Sequence, residues 1–221
     1  DCPICCLPLP LDRKKYIMMP CCSKLICNGC DFANLKQECE QRRERTCPFC
    51  RHPVPKQQEA NRILMKRVEA NDPVALQQLG SIHFKEGDFK SALEYFTKAA
   101  ELGDVTAHYQ LSVMYKDGEG VEQDEKKKIY HLEQAAIGGD PGARFNLACY
   151  EWNNGQYKRA IKHFIIAANF GHDDAMKELK LGYRDGLVSK DDFASTLRAH
   201  KAAVDAMRSP QRDVVPARTM S

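Results

Sequence analysis

Apolar residues follow two different rhythms along the chain. From about residue 57 they recur at the three- and four-residue spacing of a buried helix face, whereas residues 1–55 carry short apolar runs between turn-forming residues. Leu93, Phe96 and Ala100 form one i, i+3, i+7 stripe, which returns as Ile129, Leu132, Ala136 and as Ile161, Phe164, Ala168. Three residues after each stripe stand Gly103, Gly139 and Gly171, spaced 36 and 32 apart. A second helical pattern recurs as Ala75/Leu79, Ala107/Leu111, Ala143/Leu147 and Ala175/Leu179. Helices commonly end on a residue of positive φ, which glycine adopts at least cost and asparagine next. Asn71 holds the equivalent earlier place, so the helix from about Gln57 to Ala70 reads as the second half of an incomplete opening repeat. The pattern predicts a connecting and capping helix at 56–71 and helix pairs at 72–103, 104–139, 140–171 and 172–207. A disordered tail at 208–221, with Pro210 and Pro216, is expected to follow. Such pairs cannot bury their stripes alone and stack into an all-α solenoid.

In residues 1–55 the stretch Tyr16 to Met19 reads as a short strand, and Leu25-Ile26 leads into Cys27. Residues 31–45 lack Gly and Pro and place Phe32, Leu35 and Cys39 at helical spacing, which predicts a helix with Cys39 on its apolar face. Cysteine usage changes the picture most. Ten of the 11 cysteines precede residue 51, and Cys2/Cys5, Cys27/Cys30 and Cys47/Cys50 are C-x-x-C pairs, with Cys21 and Cys22 adjacent between them. Zinc takes four soft ligands tetrahedrally, so these eight thiols suit two closed sites that hold shape and leave no open position for chemistry. A 50-residue segment buries too little to fold reliably alone, which makes two structural zinc ions part of its fold. C-x-x-C repeats beside a charged helical half argue against a secreted disulfide scaffold and imply a reducing compartment, cytoplasmic or nuclear. The sequence begins at Asp1 rather than a methionine, so a native N-terminus upstream is expected to be missing.

The order C-x-x-C, long loop, cysteine knuckle, C-x-x-C, helix and Cys47-Pro48-Phe49-Cys50-Arg51 resembles the RING finger over residues 1–55. The resemblance implies a small zinc-stapled ββα module with cross-braced sites. One zinc would take Cys2, Cys5, Cys27 and Cys30, the other Cys21, Cys22, Cys47 and Cys50. Many relatives carry a histidine where this chain has Lys24, so Cys22 substitutes, and Lys24 is expected as a counterion to the thiolates. Cys6, Cys39 and His52 stand as alternatives to Cys21. RING domains act as ubiquitin ligases by positioning a ubiquitin-conjugating enzyme and its ubiquitin. By that likeness Ile4, Pro48 and Leu35 would contact the conjugating enzyme, and Arg51 would bridge it to ubiquitin.

Tyr115-Lys116-Asp117-Gly118-Glu119-Gly120-Val121 and its surroundings resemble the Sel-one-like subclass of tetratricopeptide-type repeats, which implies a right-handed solenoid that binds a protein substrate or adaptor. Glu151 departs from the register of Tyr115 and Tyr183, and Tyr150 and Trp152 are expected to repack that place. His83, His108, His131, His163, His172 and His200 form no metal-like spacing, and Cys149 reads as a buried small residue. Eight thiolates and two divalent ions bring the formal charge from +3 to −1. With neither a basic face nor stacking aromatics, nucleic acid is not expected, and no apolar run reaches membrane-spanning length. Two functions follow: a RING-type ubiquitin-protein ligase whose repeats recruit the substrate, or a non-catalytic zinc-binding scaffold or adaptor.

Overall fold

The computed structural model describes residues 1–215. The chain divides into two compact units, one made of Asp1–Met65 and the segment from Val204 onward, the other of Lys66–Ala203.

In the first unit a 3₁₀ turn, Arg13–Lys15, leads into the antiparallel strands β1 (Tyr16–Met18) and β2 (Leu25–Cys27), with Tyr16 opposite Cys27 and Met18 opposite Leu25. Helix α1 (Asn28–Glu40) leaves β2 directly, with Cys27 as its N-cap residue. The buried cluster is Cys2, Met19, Ile26, Cys27, Cys30 and Cys47, so thiols outnumber hydrocarbon side chains in this core. Helix α1 is not the amphipathic helix its spacing suggests. Cys39 is exposed, a correction to its expected place on an apolar face, whereas Asp31 and Glu38 are buried. Buried carboxylates need partners. Arg45 donates to both Asp31 oxygens at 3.1 and 3.0 Å, and Thr46 N–H donates to Glu38 at 3.1 Å, which ties the segment after α1 back onto the helix.

Helix α2 (Gln57–Glu69) crosses the boundary between the units. The second unit continues with α3 (Pro73–Glu86), α4 (Phe89–Glu101), α5 (Val105–Asp117), α6 (Glu125–Ile137), α7 (Pro141–Asn153), α8 (Tyr157–Asn169), α9 (Asp173–Arg184) and α10 (Lys190–Ala206). From α3 to α9 each helix packs on the next. The repeat junctions share one device. Asn71, Gly103, Gly139 and Gly171 have φ of +55°, +85°, +91° and +86°, and the N–H of the following residue reaches back to the carbonyl of Arg67, Ala99, Ala135 or Ala167. That following residue also starts the next helix: the carboxylates of Asp72, Asp104 and Asp140 accept from Ala75, Ala107 and Ala143 N–H at 3.3, 2.7 and 2.8 Å. At the last junction His172 Nδ1 takes the same role toward Ala175 N–H at 3.3 Å.

The stripes identified above line three clusters, around Phe96, Leu76, Leu111 and Met114, around Leu132, Ala136 and Leu147, and around Phe164, Ala168, Leu179 and Val188. Two local expectations are corrected. Glu151 is not displaced by its aromatic neighbours; it is itself buried, held by Arg159 at 2.8 Å and by His163 at 3.8 Å, while Trp152 packs edge-on against Tyr157. The fourth helix pair departs from the other three, since α9 and α10 approach less closely and meet through a Tyr183–Phe193 ring stack at 4.7 Å and an Asp173–His200 contact at 3.2 Å. The disorder expected of 208–221 does not hold for 208–215. There Ser209 caps the short helix α11 (Pro210–Asp213), which lies against α1. Pro210 sits in the first turn, where its missing N–H costs nothing, so the residue read as a breaker is a starter. Pro216 and the rest of the expected tail lie outside the described residues.

Histidine burial makes the repeats acid-sensitive. His131 stacks on Tyr115 with its Nδ1 3.0 Å from Nδ1 of His108, and burial, then His108 and Lys127, depress its pKa from 6.5 to about 4. A depressed histidine pKa leaves the unfolded state binding more protons, so its stabilisation is complete above about pH 6.5 and lost on the way down to about pH 4. Urea unfolding followed by circular dichroism should show stability falling by on the order of 1–3 kcal/mol across that window, with a shallower slope in His131→Phe.

Candidate metal centres

Two of the cysteine turns share one backbone design. Cys2 N–H donates to Leu7 O and Cys6 N–H to Cys2 O, both at 2.9 Å; Cys47 N–H donates to His52 O at 2.8 Å and Arg51 N–H to Cys47 O at 2.9 Å. The residue after the second cysteine closes each turn at positive φ, +56° for Cys6 and +63° for Arg51. Non-glycine residues rarely hold that conformation, so surrounding structure must fix it. The third turn is the start of α1, where Cys27 and Cys30 bracket the first helical residues. Cys21 and Cys22 occupy the hairpin turn, which Ser23 closes with φ +58° and N–H donation to Met19 O at 2.8 Å.

Folding collects these thiols into two groups: Cys2, Cys5, Cys27 and Cys30, and Cys21, Cys22, Cys47 and Cys50, with every Sγ in a group within 4.8 Å of the others. Cys5–Cys27, Cys22–Cys47 and Cys21–Cys50 approach to 3.9, 3.8 and 3.4 Å. Zinc–sulfur bonds of about 2.3 Å in a tetrahedron require sulfurs about 3.8 Å apart, so both groups fit a four-thiolate zinc ion. Such an ion would supply structural cross-linking only. Among the alternatives to Cys21, Cys6, Cys39 and His52 are all exposed and stand outside the two groups.

The electrostatics explain why a cation belongs there. Burial resists ionisation of Cys2, but the backbone N–H groups of Cys5, Cys27 and Ile4 outweigh it and bring its thiol down to about 6. At Cys50 burial likewise opposes, and the His52 backbone N–H brings the thiol down to about 6. Burial and the adjoining thiols push Cys30 and Cys21 upward. Without a cation, one thiolate forms in each group and raises the cost of the next; a divalent ion removes that conflict for all four.

The surface residues divide. Ile4 is 39% exposed, Arg51 is exposed, Leu35 is half-buried and Pro48 is buried. Pro48 therefore offers no contact surface. The turn in which Phe49 N–H reaches Cys47 Sγ at 3.4 Å takes Pro48 inward and leaves Phe49 as its exposed apolar residue. Lys24 does not act as the expected charge partner of the thiolates. Its ammonium lies over the Phe49 ring, 5.7 Å from the centroid, and only its backbone N–H serves Cys22. Arg51 Nη1 donates to Asn34 Oδ1 at 3.3 Å, and Asn34 Nδ2 donates to Thr46 O at 3.1 Å, so Asn34 fastens the last turn to α1. Asn34, Glu38, Arg43, Thr46 and Arg51 border a polar cleft of about 620 Å³. The residue that sequence reasoning missed is Arg212, whose Nη2 stands 3.5 Å from Cys5 Sγ.

Comparison with known proteins bears on the helices. Residues 73–103 match the tetratricopeptide repeat, and residues 105–140 and 141–172 match the Sel1 repeat. Within the second unit, residues 73–172 are therefore built of these repeats. A Sel1 repeat protein of known structure from Oxalobacter formigenes aligns with 28% identity and a TM-score of 0.57, covering 71% of this chain and 67% of that one. The c5321 antigen of uropathogenic Escherichia coli, which displays an SLR fold, aligns with 21% identity and a TM-score of 0.53 over 75% of this chain and 38% of its own, and shows the fold alone. Among curated relatives, the Helicobacter pylori protein named "Putative beta-lactamase HcpC" is 43% identical over 56 residues, 25% of this chain and 19% of that protein. The chain thus spans about a fifth of the length of that relative. The RING resemblance of residues 1–55 has no counterpart among these family matches, which span residues 73–172.

Zinc-loaded protein should contain two ions per chain by elemental mass spectrometry. Cys22→Ser should retain one, while Cys6→Ser and Cys39→Ser retain both. Because each bound thiolate has displaced a proton, zinc content measured over a series of falling pH values should decrease at both centres.

Proposed function

We propose that the protein is a non-catalytic adaptor: the repeats hold a segment of a partner protein, and a zinc-stapled module at the chain's start presents a second contact surface. The observation carrying this reading is the run of three matched repeats over residues 73–172, since Sel1-repeat proteins mediate protein–protein interaction. The apolar stripes are used up in clusters shared between neighbouring repeats, so the outward side chains are not needed for stacking and are free to serve recognition. Among the described residues no helix is long and apolar enough to cross a membrane. Thiols that must stay reduced to bind zinc fit a cytoplasmic or nuclear setting.

A second reading, a RING-type ubiquitin ligase, is favoured by the interleaving of the two thiol groups and by the exposure of Ile4 and Arg51. It loses Pro48 as a contact residue. In that reading Ile4 would touch the conjugating enzyme and Arg51 its ubiquitin, with Leu35 contributing at the edge.

One experiment separates them. Zinc-loaded protein is incubated with ubiquitin, activating enzyme and a panel of conjugating enzymes, and peptides selected on the same protein from a displayed library are titrated by fluorescence anisotropy. The adaptor reading expects saturable peptide binding that survives Ile4→Ala and Arg51→Ala, and no ubiquitin chains. Chains that form with the wild type and vanish in Arg51→Ala would establish the ligase.

A further inference from the structure

The end of the described chain reaches the first thiol group. The backbone of α11 lies so close to Gly29 that a Cβ there would stand 2.8 Å from the carbonyl carbon and oxygen of Gln211 and from the nitrogen of Arg212. Gly29 is absent from the positive-φ glycines, so the need for glycine at this place is room for the incoming segment. From α11 the Arg212 guanidinium points back into the module. Its Nη1 donates to Pro8 O at 2.7 Å and to Met207 O, and its Nη2 lies 3.4 Å from Leu7 O and 3.5 Å from Cys5 Sγ. Leu7 O is the acceptor that also fixes Cys2 N–H, so one cation braces the carbonyls and the thiol of the first cysteine turn together. Burial works against this charged group, and the Cys27 and Cys5 thiols offset it.

The geometry points to Arg212 as a positioning residue of the first metal centre: the segment 209–213 latches onto the module and slows the release of the ion held by Cys2, Cys5, Cys27 and Cys30. The inference rests on the metal reading given above. Four thiolates around a divalent ion leave an excess of negative charge, and a guanidinium that hydrogen-bonds one of them together with the carbonyls of its turn holds that ligand in place on the ion. At the second centre the side-chain partner is the single ring N–H that His52 offers Cys50, in place of a guanidinium fork that also grips the turn's carbonyls, and the Lys24 ammonium lies over Phe49. The two ions should therefore leave at different rates, the second centre first.

The test uses the full zinc-loaded chain challenged with a chromogenic chelator. Wild type should release zinc in two phases, and Cys22→Ser, which keeps the first centre alone, identifies the slow one. In Arg212→Gln the slow phase should become about tenfold faster while the fast phase is unchanged, the low end of what loss of an outer partner costs a metal site. Gly29→Val, which keeps Arg212 but blocks the segment's approach, should accelerate the same phase. Arg212→Lys should recover part of the delay, since the charge remains and the planar fork is lost. Arg208→Gln, on the same segment and exposed, should match wild type. The latch is refuted if the slow phase of Arg212→Gln stays within about twofold of wild type, or if Arg208→Gln accelerates it equally. Zinc content measured before the challenge keeps the two readings apart: two ions with unaltered rates sinks the latch alone, and no ions sinks the metal centres and the latch with them. Iodoacetamide labelling of Cys5, read by mass spectrometry, gives an independent check and should rise in Arg212→Gln.

Discussion

Four thiols gathered within 4.8 Å of one another resist ionising together, and the first unit is arranged around that constraint twice. Backbone N–H groups aimed at Cys2 and Cys50 lower the cost of one thiolate per group, and each thiolate formed makes the next harder. A divalent cation would resolve the conflict and would also supply the cross-links that a core this small lacks. Because each group draws ligands from segments far apart in the chain, closing one centre would fix the Cys2–Cys5 turn against the start of α1, and closing the other would fix the hairpin turn against Cys47–Cys50. What remains is to hold the ligand turns in shape, and buried ion pairs and hydrogen bonds do this work: Asp31 with Arg45, Glu38 with Thr46, Asn34 with Arg51. A partner missing from any of these leaves a buried charge or a loose turn, so these polar residues matter to the metal sites although none touches a metal.

The second unit meets the same demand, one ordered structure from a short segment, by repetition. Each junction spends a left-handed residue to end one helix and an acceptor side chain to begin the next, so the angle between successive helices is set locally and reproduced. The stripes then interlock around Phe96 and around Phe164. Variation is admitted where the local device can be replaced in kind. His172 substitutes for aspartate as a neutral acceptor, which works only while burial keeps it unprotonated, and Glu151 replaces a tyrosine because Arg159 neutralises it.

The helical half was the more legible of the two because its determinants are local. Gly103, Gly139 and Gly171 report the junctions directly, and apolar residues at helical spacing report the buried faces. In the cysteine half the C-x-x-C turns were equally plain, since a ligand pair three residues apart is a local feature too. What the sequence concealed were the long-range and orientational facts. The spacing of Phe32, Leu35 and Cys39 suggested an apolar face, but a helix whose Cys30 joins the first thiol group and whose Asp31 and Glu38 are held by polar partners is oriented by those contacts, and Cys39 faces out. The side on which Pro48 lies depends on a turn closed by Arg51 at positive φ, a conformation its residue type does not advertise. Lys24 went to an aromatic ring rather than to sulfur, a choice between two nearby attractions that spacing cannot rank.

Arg212 was the least legible residue because its partners lie some two hundred positions away, and that separation has a consequence for assembly. The cost of closing a loop grows only with the logarithm of its length, so bringing 209–213 back to Cys5 is far cheaper than its span suggests, provided the contact made is strong. A guanidinium shared among carbonyls and a thiolate supplies such a contact. The first unit is consequently made from both parts of the chain that flank the repeats, and during synthesis its cysteine turns can collect metal before Arg212 exists to brace them. The module would then pass through a more labile metal-bound form until α11 is released, and in the finished protein the lability of the first centre would report whether that segment is in place.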